Sequence, residues 1–223
     1  MSFKLFCSAI LKFLLGVVLV GVLVFLPAGS FDFFGGWLFM GVLFLPMFIA
    51  GIVMMIKAPE LLKSRLNAKE KRSEQSLVVK LSGLMFIAGF VLAGLDYRFS
   101  WLVIPKYVQY SALAVFLVGY LLYAEVLREN KYLSRTIEVK EGQKVVETGL
   151  YGVVRHPMYT ATLLMFLAMP LILGSAIAVL VFLAYPILII ARLKNEEELL
   201  EEELSGYKEY KLKVKYRLIP YIW

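Results

Sequence analysis

Apolar and polar residues follow one another along this chain in long blocks. Four apolar runs, at residues 9–27, 36–56, 77–95 and 108–127, approach the roughly 20 residues a helix needs to cross the hydrocarbon of a bilayer. A fifth, at 157–191, is long enough for two. Pro170 and the Leu173-Gly174-Ser175 break divide it into a predicted helical hairpin, whose short arms reach across only if tilted or if the bilayer thins locally. The pattern predicts an all-α, polytopic helical membrane protein with about six membrane segments, the last two a hairpin. It also predicts a boundary: four spans in residues 1–127, then a loop, the hairpin and a C-terminal helix in residues 128–223.

Composition agrees. Of 223 residues 61% are hydrophobic, against about 45 to 50% in soluble globular chains, and the mean hydropathy is +0.77. The single cysteine, Cys7, excludes an internal disulfide framework and a cysteine-rich metal site; near the start of an apolar run it reads as a small hydrophobe.

Charge supplies the orientation. Lys57, Lys63, Arg65, Lys69, Lys71, Arg72 and Lys80 follow the second run, and Arg128, Lys131, Arg135, Lys140, Lys144 and Arg155 follow the fourth. The first connection holds Asp32 and no Lys or Arg, and the third only Arg98 and Lys106. The positive-inside rule places both termini and the second and fourth loops in the cytoplasm, a parity that six crossings satisfy. The N-terminal run, with Lys4 and Lys12 but no clear small-residue cleavage site after it, reads as a first span rather than a secretory signal. The net charge of +7 is spread beside apolar segments, so the counterpart is anionic lipid headgroups and not nucleic acid.

Two polar stretches remain. In residues 59–75, leucines 61, 62 and 66 among charges fit a short helix lying on the headgroups, and equally a solvated loop with topogenic lysines. In residues 128–155, Glu141-Gly142-Gln143-Lys144 reads as a turn between two short extended pieces.

Candidate chemistry gathers after that turn. Gly149-Leu150-Tyr151-Gly152-Val153-Val154-Arg155-His156-Pro157-Met158-Tyr159 carries the only histidine where polar loop meets apolar run. Proline there suits a first helical turn, and the helix start suits an anionic or polar ligand. Beyond the hairpin, Arg192 and Glu196 are one helical turn apart, close enough to pair or to hold opposite ends of one ligand. A plainer reading makes Arg192 an interfacial anchor, residues 196–203 a solvated acidic helix, and His156 a structural residue.

These residues together resemble the isoprenylcysteine carboxyl methyltransferase family of integral-membrane enzymes, with phospholipid N-methyltransferases as more distant relatives. The resemblance covers residues 130–223. It rests on Gly149-Leu150-Tyr151, Arg155-His156-Pro157-Met158-Tyr159, Gly174-Ser175, Arg192, Glu196-Glu197, and a tail from Gly206-Tyr207-Lys208-Glu209-Tyr210 to Tyr216-Arg217-Leu218-Ile219-Pro220. Gly36-Trp37 and Pro59-Glu60-Leu61-Leu62 are reminiscent of bacterial members, which implies a prokaryotic plasma membrane. The resemblance implies S-adenosylmethionine held under the fourth loop and the C-terminal helix. Gln143, Lys144, Val145, Val146, Tyr151, His156, Pro157, Met158, Tyr159 and Glu196 would contact it; Arg192 would face a lipophilic acceptor arriving through the membrane. It implies no metal. Two departures are Lys140, where the family often has glutamine, and Thr160-Ala161, where glycine usually follows the tyrosine.

Sulfonium chemistry suits so sparse a site, because displacement at a methyl mainly needs alignment and exclusion of water. A carboxylate acceptor needs no base and Arg192 would orient it, whereas an amine must arrive unprotonated, with His156 or Glu196 as the base. Two other classes stay open. Sterol reductases resemble this family in their C-terminal helices, which leaves a nicotinamide-dependent membrane reductase. A small transporter or scaffold is the non-enzymatic reading, against which the spans carry few charges, chiefly Glu125 and Asp96 near their ends.

Overall fold

The computed structural model describes residues 3–67, 73–134 and 136–223. Its helices are α1 (Phe3–Ala28), α2 (Phe34–Lys57), α3 (Pro59–Leu66), α4 (Ser73–Phe99), α5 (Lys106–Glu129), α6 (Pro157–Ile172), α7 (Ala176–Phe182), α8 (Ala184–Glu203) and α9 (Tyr207–Lys213). Five stretches are long and apolar enough to cross a membrane: α1, α2, residues Gln75–Phe99 of α4, α5, and α7 with α8. This is an integral, multi-pass helical protein. α6 is apolar but has only 16 residues, about 24 Å against a hydrocarbon core of about 30 Å.

The hairpin forms, and its hinge is narrower than the sequence suggests. Pro170 lies inside α6 near its end and divides nothing; the chain reverses at Leu173-Gly174-Ser175. Gly174 has φ +81, and a Cβ there would come within 2.6 Å of Gln109 Nε2. Ser175 caps α7 by accepting from the Ala178 amide at 3.1 Å, and its hydroxyl donates to Asp96 Oδ2 at 2.6 Å. Asp96 Oδ1 accepts from the Leu102 amide at 3.0 Å. The buried Asp96 therefore locks the hairpin tip to the end of α4. A second interruption, at Leu183, precedes Pro186, which has no amide to donate to the Phe182 carbonyl.

The main core lies among α1, α2 and α4 to α8, with Phe39, Phe116, Phe182, Ile172 and Leu193 fully buried. Phe86, Phe90, Phe166, Phe182 and Tyr185 form a continuous aromatic cluster through it. A smaller core of Leu204, Tyr207, Tyr210 and Val214, joined by Val139, Val145 and Leu200, sits beyond the spans and pins the fourth loop to the C-terminal region.

Polar contacts gather the basic segments at one end. Lys12 Nζ donates to the Leu66 carbonyl at 2.8 Å, Arg65 Nη1 to the Ser134 carbonyl at 2.9 Å, and Lys140 Nζ to Ser64 Oγ at 2.6 Å. Within residues 59–75 a helix does form, α3, but Leu61 and Leu62 are buried in protein and not laid on headgroups. Lys69, Lys71, Arg72 and Arg135, used above for orientation, lie outside the described residues. The turn before Lys144 is present, with the Gln143 amide donating to the Lys140 carbonyl at 3.0 Å. Its flanking extended pieces pair into no strand; among the described residues the isolated bridge is Val103 with Ser175.

Candidate functional site

The 3-10 turn Gly149–Gly152 delivers the chain to α6. Gly149 adopts φ +56, and the Glu129 carboxylate occupies the place a Cβ would take; that carboxylate accepts from the Leu150 amide at 3.0 Å. Tyr151 is thereby turned inward, where its hydroxyl accepts from Asn130 Nδ2 at 2.9 Å and its carbonyl accepts from Tyr210 Oη at 2.7 Å. His156 occupies the N-cap of α6 and Pro157 the first turn, and Tyr159 in that turn faces α8.

Gln143, Lys144, Val145, Val146, Tyr151, His156, Met158, Tyr159, Arg192 and Glu196 line one cavity beneath the fourth loop, at the basic end. Pro157 does not line it; it is buried and starts the helix. Leu199, Leu200 and Leu204 supply an apolar wall. The cavity is a narrow slot in which about 100 Å³ admits the centre of a water molecule.

Arg192 and Glu196 do share a face of α8, and a third residue joins them. Tyr159 Oη donates to Glu196 Oε2 and accepts from Arg192 Nε at 3.1 Å. Arg192 Nη1 also reaches Gln75 Oε1 at 3.4 Å. The plain reading of residues 196–203 as a fully solvated helix therefore does not hold at its start.

One buried cluster was not picked out as a site from sequence. Glu197, 3% exposed, accepts from Arg155 Nε at 2.7 Å, from His156 Nε2 at 3.2 Å and, on its other oxygen, from Arg217 Nε at 2.9 Å. Arg155 Nη1 donates to the carbonyls of Val214 and Lys215, both at 2.8 Å. The Arg155 and His156 amides donate to the Tyr216 and Arg217 carbonyls, both at 2.9 Å. One carboxylate thus ties α6, α8 and the C-terminal tail together. Because an ionised carboxylate only accepts, His156 Nε2 carries the proton, and in the neutral ring Nδ1 is the acceptor. A signal was present: Ile189, Leu193, Glu197, Leu200 and Leu204 follow one apolar stripe, and a glutamate on such a stripe marks a buried charge.

Tyr207 was also missed as a site residue. It lines the slot, is 3% exposed, and its buried hydroxyl has no hydrogen-bond partner among the described residues. Burial, then the nearby Glu197 and Glu196 charges, push its pKa well above the ordinary tyrosine range, so it stays a neutral donor. Burial raises Tyr151 likewise.

A second cavity of about 390 Å³ lies among α4, α6 and α8, walled by Val78, Val79, Phe86, Phe166, Tyr185 and Ile189. Ser134, Met158, Tyr159 and Arg192 line both cavities, so the partition between the polar slot and this more apolar chamber is a few side chains thick.

Residues 107–205 match the phospholipid methyltransferase family, PEMT. The chain is also 32% identical over 91 residues to the Delta(14)-sterol reductase TM7SF2 of Mus musculus, covering 40% of this chain and 22% of that protein. The family match takes in the motif from Gly149 to Tyr159, Arg192 and Glu196-Glu197, and stops short of the tail after Gly206. It falls on the family named above as the more distant relative.

Proposed function

We propose that the protein is an integral-membrane methyltransferase that takes S-adenosylmethionine in the slot and a lipophilic acceptor in the chamber. The observation that carries this reading is the shared partition: a more polar cavity at the basic end and a more apolar one among the spans, meeting at Met158, Tyr159 and Arg192. The match to the phospholipid methyltransferase family supports the same class of chemistry. The slot's residues suit the donor. Tyr207 brings an unanswered buried hydroxyl, Glu196 a carboxylate to face a cation, and Val145, Val146 and Leu200 apolar surface for an aromatic base.

When bound, S-adenosylmethionine supplies an electrophilic methyl group. The chain's own work is then to align, to exclude water and to place charge. Tyr159 holds Glu196 on the donor side and Arg192 at the partition. The Arg192 guanidinium favours an anionic acceptor, so O-methylation of a carboxylate of isoprenylcysteine type is the preferred substrate class. N-methylation of a phospholipid amine, one chemistry open to a phospholipid methyltransferase, asks for a base as well; His156 Nδ1 and Glu196 are available for it. The basic end is assigned to the cytoplasm, with both termini there, in a prokaryotic plasma membrane.

The reductase alignment favours a second reading, a nicotinamide-dependent membrane reductase. Calorimetry on the detergent-solubilised protein separates the two. Saturable binding of S-adenosylmethionine, weakened by His156→Ala in a folded sample, is expected. Binding of NADPH without binding of S-adenosylmethionine would replace the first reading by the second, and binding of neither would leave the scaffold or transporter. Labelled methyl donor offered with a prenylated cysteine and with phosphatidylethanolamine then decides the acceptor.

A further inference from the structure

A groove separate from both cavities opens between α2 and α5. Leu45, Ile49, Val53, Leu117, Leu121 and Ala124 form much of its wall, and its volume is about 1340 Å³. At its deep end Tyr120 Oη donates to the Leu43 carbonyl at 2.6 Å and clamps the two helices. From Leu45 to Lys57 the wall runs about 18 Å at ~1.5 Å per residue, close to the ~15 Å depth of one leaflet. At the opposite end Lys57, Arg128, Lys131 and Lys140 meet Glu60 and Glu141, an excess of cations at the basic end of the molecule. Arg128 is already held by Glu125, at 2.8 and 2.5 Å. Lys57 and Lys131 are exposed, and Lys140 draws the Ser64 hydroxyl into the same mouth.

We propose that this groove is a binding site for one anionic phospholipid, its chains along α2 and α5 and its phosphate at Lys57, Lys131 and Lys140. Charge selects that occupant. A zwitterionic lipid fills the groove but sets its own cation beside the lysines, and a second copy of this chain would bring the same cationic excess against them. The site touches the loop that walls the polar slot. Lys140 and Glu141 belong to the turn whose Gln143 and Lys144 line the slot, Tyr132 lines both spaces, and Tyr132 Oη donates to the Gly142 carbonyl at 3.1 Å. A bound phosphate therefore steadies that turn from outside. The inference is independent of the chemistry in the slot.

Native mass spectrometry of the full chain in detergent, titrated with phosphatidylglycerol and with phosphatidylcholine, tests it. Phosphatidylglycerol should be retained about 10-fold or more tightly than phosphatidylcholine. The triple variant Lys57→Gln, Lys131→Gln, Lys140→Gln should lose the preference yet keep phosphatidylcholine, while Ala124→Trp should weaken both lipids. Hydrogen exchange across residues 138–146 should slow with phosphatidylglycerol in the unmodified protein and not in the triple variant. Equal retention of the two lipids, a preference that survives the lysine changes, or a protein dimer in place of the lipid adduct would overturn the proposal.

Discussion

Glu197→Gln is the most exacting test of how the C-terminal region is built. The substitution keeps shape and volume but removes the one negative charge shared by Arg155, His156 and Arg217. The Glu197 and Arg155 side chains are 4% and 5% exposed, so water cannot replace the lost charge, whereas Arg217 at 29% can turn outward. Arg155 keeps its two carbonyl acceptors but loses its counter-charge, and breaking a buried pair from one side costs about 3 to 5 kcal/mol. Arg217→Gln should cost about 1 kcal/mol or less by the same logic, because its charge is partly solvated. Trp223 provides the probe, since the Arg217 guanidinium lies over its ring at 5.2 Å. With Trp37 and Trp101 replaced by phenylalanine, denaturant titration followed by its fluorescence should report a transition moved by that amount in Glu197→Gln. Trypsin should cut after Lys213, Lys215 and Arg217 in the variant under conditions where the parent resists. A loss below about 1 kcal/mol, with the tail still protected, would refute the view that one buried carboxylate holds α6, α8 and the tail together.

Tyr207→Phe should leave the ligand-free protein as stable or up to about 1 to 3 kcal/mol more stable, because it removes a buried hydroxyl without a partner, and should weaken S-adenosylmethionine binding; calorimetry with thermal unfolding checks both signs. Glu196→Gln should mainly weaken donor binding and Arg192→Ala mainly turnover or acceptor affinity, each by about 2 to 4 kcal/mol, about 30-fold to 1,000-fold; near-parental kinetics in both would remove them from the site. Burial raises the folded-state pKa of Tyr151, Tyr207 and Tyr210 above the unfolded value near 10, so the stability they confer is intact below about pH 10 and falls as pH rises further, by about 1.4 kcal/mol per pH unit per tyrosine. Alkaline titration should accordingly release the tail, read by Trp223, before the spans unfold. A single cysteine at Lys144, in a chain with Cys7 replaced, should be shielded from an impermeant reagent in intact cells; labelling from outside would invert the orientation.

Much of this molecule is written in one dimension. Whether a run of residues crosses hydrocarbon depends on its own length and polarity, so the first four long apolar helices and the hairpin that holds the fifth were legible, and glycine at 174 marked the reversal. The motif from Gly149 to Tyr159 and the Arg192 and Glu196 pair were legible too, as spacing on helix starts and faces. What spacing leaves undetermined is which polar groups meet across elements. The partner of Glu197 lies 42 residues away in Arg155 and 20 away in Arg217. Tyr159 became the link between Arg192 and Glu196 only when α6 folded against α8. Pro170 and residues 59–66 make the same point from the other side: a proline near a helix end breaks nothing, and leucines among charges face whichever apolar surface packing brings to them. Crossing a membrane is decided residue by residue against the lipid; a site is decided by distances of about 3 Å between segments far apart in the chain, and those exist only once the helices have packed.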